Sequence, residues 1–205
     1  TLVANNALTD SAITASRLPA TVLQNLTQMT AIHHGDSLYQ NGTLFHGPRL
    51  QGIKQVLSFD DEQLVCQVKL PQIELADCPG FAPSSVTGGS QLFAEDLLLQ
   101  AMLVWARLKY DAASLPSSMG QFITVAPFVS GDKGYIQLEV LKHSGRMLMA
   151  NVSLYHQDGR LSCQMRDAKI TISKTLNQAF INQHENQHEN EHENLPANQH
   201  SKDSV

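Results

Sequence analysis

Asp96 and Gln100 stand four residues apart in a run that is otherwise almost wholly apolar: Leu92, Phe93, Leu97, Leu98, Leu99, Met102, Leu103, Val104 and Trp105. Four helical steps of about 100° return nearly to the start, so the two side chains share one side of a helix. Burying a carboxyl group without a partner is costly or forces it to take up a proton. A proton-carrying Asp in an apolar pocket is suited to general acid catalysis. Structural readings stay open beside that one: Asp96 bonds the backbone of Gly88-Gly89-Ser90, it pairs with a cation elsewhere, or the helix has one wet stripe. Arg107 lies on the same stripe but about 16 Å along the axis at 1.5 Å per residue, too far for direct pairing.

A second constellation lies upstream, in Gly42-Thr43-Leu44-Phe45-His46-Gly47-Pro48-Arg49-Leu50-Gln51. A Gly-Pro step sets a turn and restricts the residue before it, so Gly47-Pro48 can aim Phe45 and His46 at one place. Structurally this is only a turn, and its distance from the helix is not encoded in spacing.

These residues need a scaffold. Ile53 to Phe59 and Gln63 to Leu70 are rich in Val, Ile and Leu and are broken by Asp60-Asp61-Glu62, which reads as two strands and a turn. Pro71 to Gly89 holds three prolines and three glycines and reads as an irregular connection. It leads to the helix over Leu92 to Leu108, with Ser90 as its expected N-cap. After Pro116 the period becomes two. Phe122 to Val129, Gly134 to Lys142, Met147 to His156 and Arg160 to Ser173 read as strands of an antiparallel meander, joined at Gly131, Gly145 and Gly159. The pattern describes an α+β domain in which one buried helix is held by a curled antiparallel sheet.

The 205 residues suit one domain, expected over residues 36–176, after a lead-in over 1–35 with a short helix at most. Residues 177–205 read as a polar, disordered tail, because the His, Glu, Gln and Asn repeat over 182–194 has nothing to bury. Its His184, His188 and His192 sit four apart, a spacing that can hold a metal, but a solvated tail is the expectation and no metal site is assigned. Net charge is -5 without a basic cluster, which argues against nucleic acid as a partner. No run approaches the roughly 20 apolar residues of a membrane span. Cys66, Cys78 and Cys163 form no CxxC pair, which fits a reducing, cytoplasmic setting.

The segment Leu44 to Gln51, followed by Asp96-Leu97-Leu98-Leu99-Gln100, resembles the dehydratase domains of polyketide synthases and, more closely, of bacterial polyunsaturated fatty acid synthases. The likeness runs from about Leu38 to Ser173 and is closest to the C-terminal region of the multidomain polypeptide carrying ketosynthase, acyltransferase, tandem carrier and ketoreductase domains. It implies a hotdog fold, with this chain as the second half of a double hotdog. It also implies removal of water from a 3-hydroxyacyl thioester to give a 2-enoyl thioester. The substrate would ride on the phosphopantetheine of an acyl carrier protein, with no cofactor bound to the chain itself. Carried over by motif, Asp96 protonates the leaving hydroxyl and Gln100 holds it, while Phe45, His46, Gly47 and Pro48 meet the substrate. Carrier domains and other synthase domains are the implied partners, and isolated hotdogs often pair, so a homodimer is expected.

Two departures qualify this. The family's base is a His in His-x-x-x-Gly-x-x-x-x-Pro, and none of the nine histidines has Gly four residues later. Many relatives carry Tyr where His46 stands. A half-site cannot run the whole reaction alone, so a non-catalytic hotdog that binds carrier protein or acyl chain, or serves assembly, is the alternative, as is a hotdog thioesterase.

Overall fold

The computed structural model describes residues 17–72 and 86–176. In chain order these form α1 (Ala20–Gln28), β1 (His33–His34), α2 (Gly35–Gln40), a 3-10 turn (Pro48–Leu50), β2 (Ile53–Phe59) and β3 (Gln63–Lys69). The long helix α3 (Val86–Tyr110) follows, then β4 (Ala113–Ser118), β5 (Gln121–Thr124), β6 (Lys133–Ser144), β7 (Met147–His156) and β8 (Leu161–Ser173). The strands make one antiparallel sheet in the order β1-β2-β3-β6-β7-β8-β4, with β5 also on β8. The sheet curls around α3, which touches β2, β3, β4, β6, β7 and β8. This is the α+β hotdog architecture.

Alternation explains which face meets the helix. Leu64, Cys66 and Val68 of β3, Ile136 and Leu138 of β6, and Leu148, Ala150, Val152 and Leu154 of β7 point inward, two residues apart, into one core with Leu97, Leu98, Met102 and Trp105. On β8 the inward set is Cys163 and Met165, then Ala168, Ile170 and Ile172, so the parity changes once. The register slips at that point, where Ala150 faces Ala168 but Val152 faces Met165, and Asp167 adopts φ 51°. One extra residue in β8 lets both halves of a 13-residue strand face the helix and bends the sheet around it.

The outer face has a smaller cluster of Leu57, Val65 and Tyr135, covered by Leu23 and Leu26 of α1. The segment before α1 is tied to the far hairpin, since the Leu18 N–H donates to the Gly159 carbonyl at 2.9 Å.

Several sequence expectations shift. The helix starts at Val86, so Ser90 lies inside it and is not its N-cap, and no Gly88-Gly89-Ser90 loop exists to bind Asp96. Leu92, expected in the buried run, is 52% exposed. The run expected over Phe122 to Val129 is strand only as far as Thr124, and it pairs with β8 rather than with the next strand. The trailing strands are therefore not a simple meander. Strand β4 escaped notice because of Pro116 and its serines. It lies at the sheet edge, where a residue without an N–H removes no ladder bond on its open side. Residues 73–85, with Cys78, and the tail with His184, His188 and His192 lie outside the described residues.

Helix α2 sits flush on β2 because it opens with glycine: a Cβ on Gly35 would stand 2.0 Å from the Ile53 carbonyl oxygen. Gly35→Ala must push α2 away and is expected to cost about 1–3 kcal/mol, as overpacking does. Urea denaturation checks this, and an unchanged midpoint would refute the close approach.

Candidate active site

Three pieces of chain meet around residue 100. Helix α3 supplies Asp96 and Gln100, α2 supplies Tyr39, and the loop and 3-10 turn between α2 and β2 supply His46 and the Leu50 carbonyl. The loop is folded back on α2, with the Leu44 N–H donating to the Leu38 carbonyl at 2.9 Å and the Leu44 side chain fully buried. Gly47-Pro48 opens the 3-10 turn, closed by the Leu50 N–H on the Gly47 carbonyl at 2.9 Å. Gln51 braces it, its Nε2 donating to the His46 carbonyl at 3.0 Å.

The Gln100 side chain is buried and its polar atoms are all engaged. Nε2 donates to Asp96 Oδ2 at 2.7 Å and to the Leu50 carbonyl at 2.8 Å. Oε1 accepts the Tyr39 hydroxyl at 2.7 Å, and that hydroxyl accepts the Ile53 N–H at 3.1 Å. Every polarity follows from the chemistry. The Leu50 carbonyl offers only an acceptor, so the NH2 must face it, and Tyr39, already accepting from Ile53, must give its proton to Oε1. Burial raises the Tyr39 pKa above its ordinary value, with the Ile53 N–H opposing and the Asp96 charge adding to the rise, so the phenol stays a donor.

The turn aims its two side chains as its Gly-Pro step allows. Phe45 and His46 stack with ring centroids 4.5 Å apart and planes at 18°. His46 Nε2 lies 3.8 Å from Asp96 Oδ2, with the His46 side chain 10% exposed and that of Asp96 30%. Asp96 is therefore not sealed among apolar groups. It sits at the edge of the core, held by an amide and faced by an imidazole. Burial lowers the His46 pKa below the ordinary imidazole value, and the Asp96 charge offsets part of that. Gly47 and Pro48 are exposed and shape the turn rather than the centre. Tyr39 is the residue that sequence reasoning missed, while Gln51 closed the Gly42 to Gln51 constellation without a role assigned to it. Tyr39 carries no motif of its own, and its one signal was its place where the apolar pattern begins.

No protein-family profile matches the chain. One polypeptide of the polyunsaturated fatty acid synthase of Thraustochytrium is 32% identical over 122 residues, 60% of this chain and 4% of that polypeptide. The dehydratase domain from the CurJ module of curacin polyketide synthase superposes with a TM-score of 0.56 at 18% identity, over 78% of this chain and 55% of the domain. A trans-AT polyketide synthase dehydratase domain from Brevibacillus brevis gives 0.53 at 17% identity, over 77% and 53%. The chain thus spans about half of each solved dehydratase domain and a small part of the curated relative. It has their fold, as one hotdog.

Two outcomes are expected. Tyr39→Phe leaves the buried Ile53 N–H without an acceptor and should cost about 1–3 kcal/mol in urea denaturation, whereas an unaltered midpoint would mean that the bond contributes nothing. His46 and His156 are both held below their ordinary pKa, chiefly by burial. Below about pH 6.5 the unfolded chain therefore binds more protons than the folded one, and stability falls as pH falls. Thermal melts should drop between about pH 7.5 and 5.5, and His156→Phe should flatten part of that slope. A flat wild-type profile would contradict the burial of both rings.

Proposed function

We propose that this hotdog is the acid-bearing half of a 3-hydroxyacyl thioester dehydratase, acting on substrates carried by the phosphopantetheine of an acyl carrier protein. The observation that carries the reading is the Gln100 amide locked onto Asp96 Oδ2 at 2.7 Å. The likeness to dehydratase domains and to part of a polyunsaturated fatty acid synthase supports the substrate class.

The chemistry follows from the geometry. With Oδ2 accepting from Gln100, the proton that Asp96 gives up is carried on Oδ1. As a base takes a proton from Cα of the 3-hydroxyacyl thioester, Oδ1–H protonates the β-hydroxyl, the C–O bond breaks, water leaves and the Cα–Cβ double bond forms. The carboxylate left behind keeps its charge-assisted bond from Gln100, which lowers the energy of the state reached after proton transfer. The base belongs to a companion hotdog, since the His motif of the related domains is not among these 205 residues. The carrier domain and neighbouring synthase domains are the partners this reading requires.

Assay of 3-hydroxyacyl thioesters in the native polypeptide containing this chain tests the role. Asp96→Asn is expected to lower kcat by about 10²-fold or more, the range for loss of a general acid, with KM little changed. Gln100→Ala should cost less. Equal rates for wild type and Asp96→Asn would end the assignment.

A further inference from the structure

We propose that His46 is a positioning residue for Asp96: a neutral imidazole that turns Nε2–H toward Oδ2, the oxygen Gln100 already holds, and so confines the transferable proton to Oδ1. The catalytic consequence rests on the dehydratase reading; the pairing itself does not.

The position of the ring carries the inference. Phe45 stacks against it, Gln51 holds its backbone carbonyl, and Nε2 faces Oδ2 at 3.8 Å, one small side-chain movement from a hydrogen bond. Nδ1 is buried with no hydrogen-bond partner among the described residues. An imidazolium would seal an N–H at Nδ1 away from any acceptor among them, which disfavours the cation. Of the two neutral tautomers, Nδ1–H buries that same donor and sets a lone pair against a carboxylate. The Nε2–H form sets a donor against it.

Among the described residues, Asp96, on α3, is the charge that acts on the ring. Tyr39 on α2 and Cys66 on β3 remain neutral because burial raises both, the Cys66 thiol to about 12. Arg49, on the 3-10 turn, is exposed. With Gln100 and His46 both directed at Oδ2, the carboxyl group is held from one side and presents the other oxygen outward.

Two measurements test this, and they fail separately. In the full chain with isotope-labelled histidine, NMR titration is expected to show His46 as the Nε2–H tautomer with a pKa below that of a free imidazole. Asp96→Asn should lower it further by about one pH unit, because the carboxylate that favours the cation is gone. An Nδ1–H tautomer, or a titration that ignores Asp96→Asn, overturns the pairing even if Asp96 is essential for dehydration. In the native polypeptide, His46→Phe preserves the stack on Phe45 but removes the donor. Its kcat should fall about tenfold, the worth of one hydrogen bond to a charged group, with KM nearly unchanged. His46→Gln should recover part of the rate. A His46→Phe enzyme with wild-type kcat overturns the positioning role. If wild type dehydrates no thioester, the dehydratase reading fails and the titration alone decides the pairing.

Discussion

The buried amide of Gln100 is the joint on which the candidate site depends. Among the described residues it is the one side chain that bonds α3, α2 and the 3-10 turn at once, through Asp96, Tyr39 and the Leu50 carbonyl. A buried amide is worth little over its hydration when satisfied, but leaving its groups unpaired is expensive. Each partner must therefore arrive together, and the position of Asp96 becomes a property of three chain segments rather than of one helix. The energetic asymmetry favours a single arrangement over several near-equivalent ones.

Holding those segments in place falls to the sheet. A flat sheet would touch α3 along a line, whereas the described strands curl about it, with register breaks in β2, β6, β8 and β4 that add bends where the inward parity must be kept. The same curl leaves β2 beside the helix turn that carries Asp96 and Gln100. Gly35 lets α2 lie directly on β2, and Gly52 leaves room for Leu97, whose Cδ2 would be 2.5 Å from a Cβ there. Close backbone approach on one side of the helix is thus what brings Tyr39 and His46 within reach of it.

Electrostatics at the site are set by partial exposure. Asp96 keeps some contact with solvent while His46 and Tyr39 lose nearly all of theirs. Those two neighbours are held neutral by the cost of charging them in the core. Hydrogen-bond polarity, rather than a net charge, orients the Asp96 carboxyl group.

The sequence by itself determined the long apolar helix, the pairing of Asp96 with Gln100 on one side of it, the strands β2, β3, β6, β7 and β8, and the turn at Gly47-Pro48. All of these are written in local periodicity and turn chemistry, which act over a few residues. Only the tertiary structure decided that Tyr39 bonds Gln100 across 61 positions of sequence, that His46 faces Asp96, that β5 turns to β8, and that Pro116 sits in an edge strand. Each of these depends on which segments the curled sheet brings together. An i,i+4 relation is fixed by helix geometry, but a contact between distant residues is fixed by packing, bulges and the space a glycine leaves.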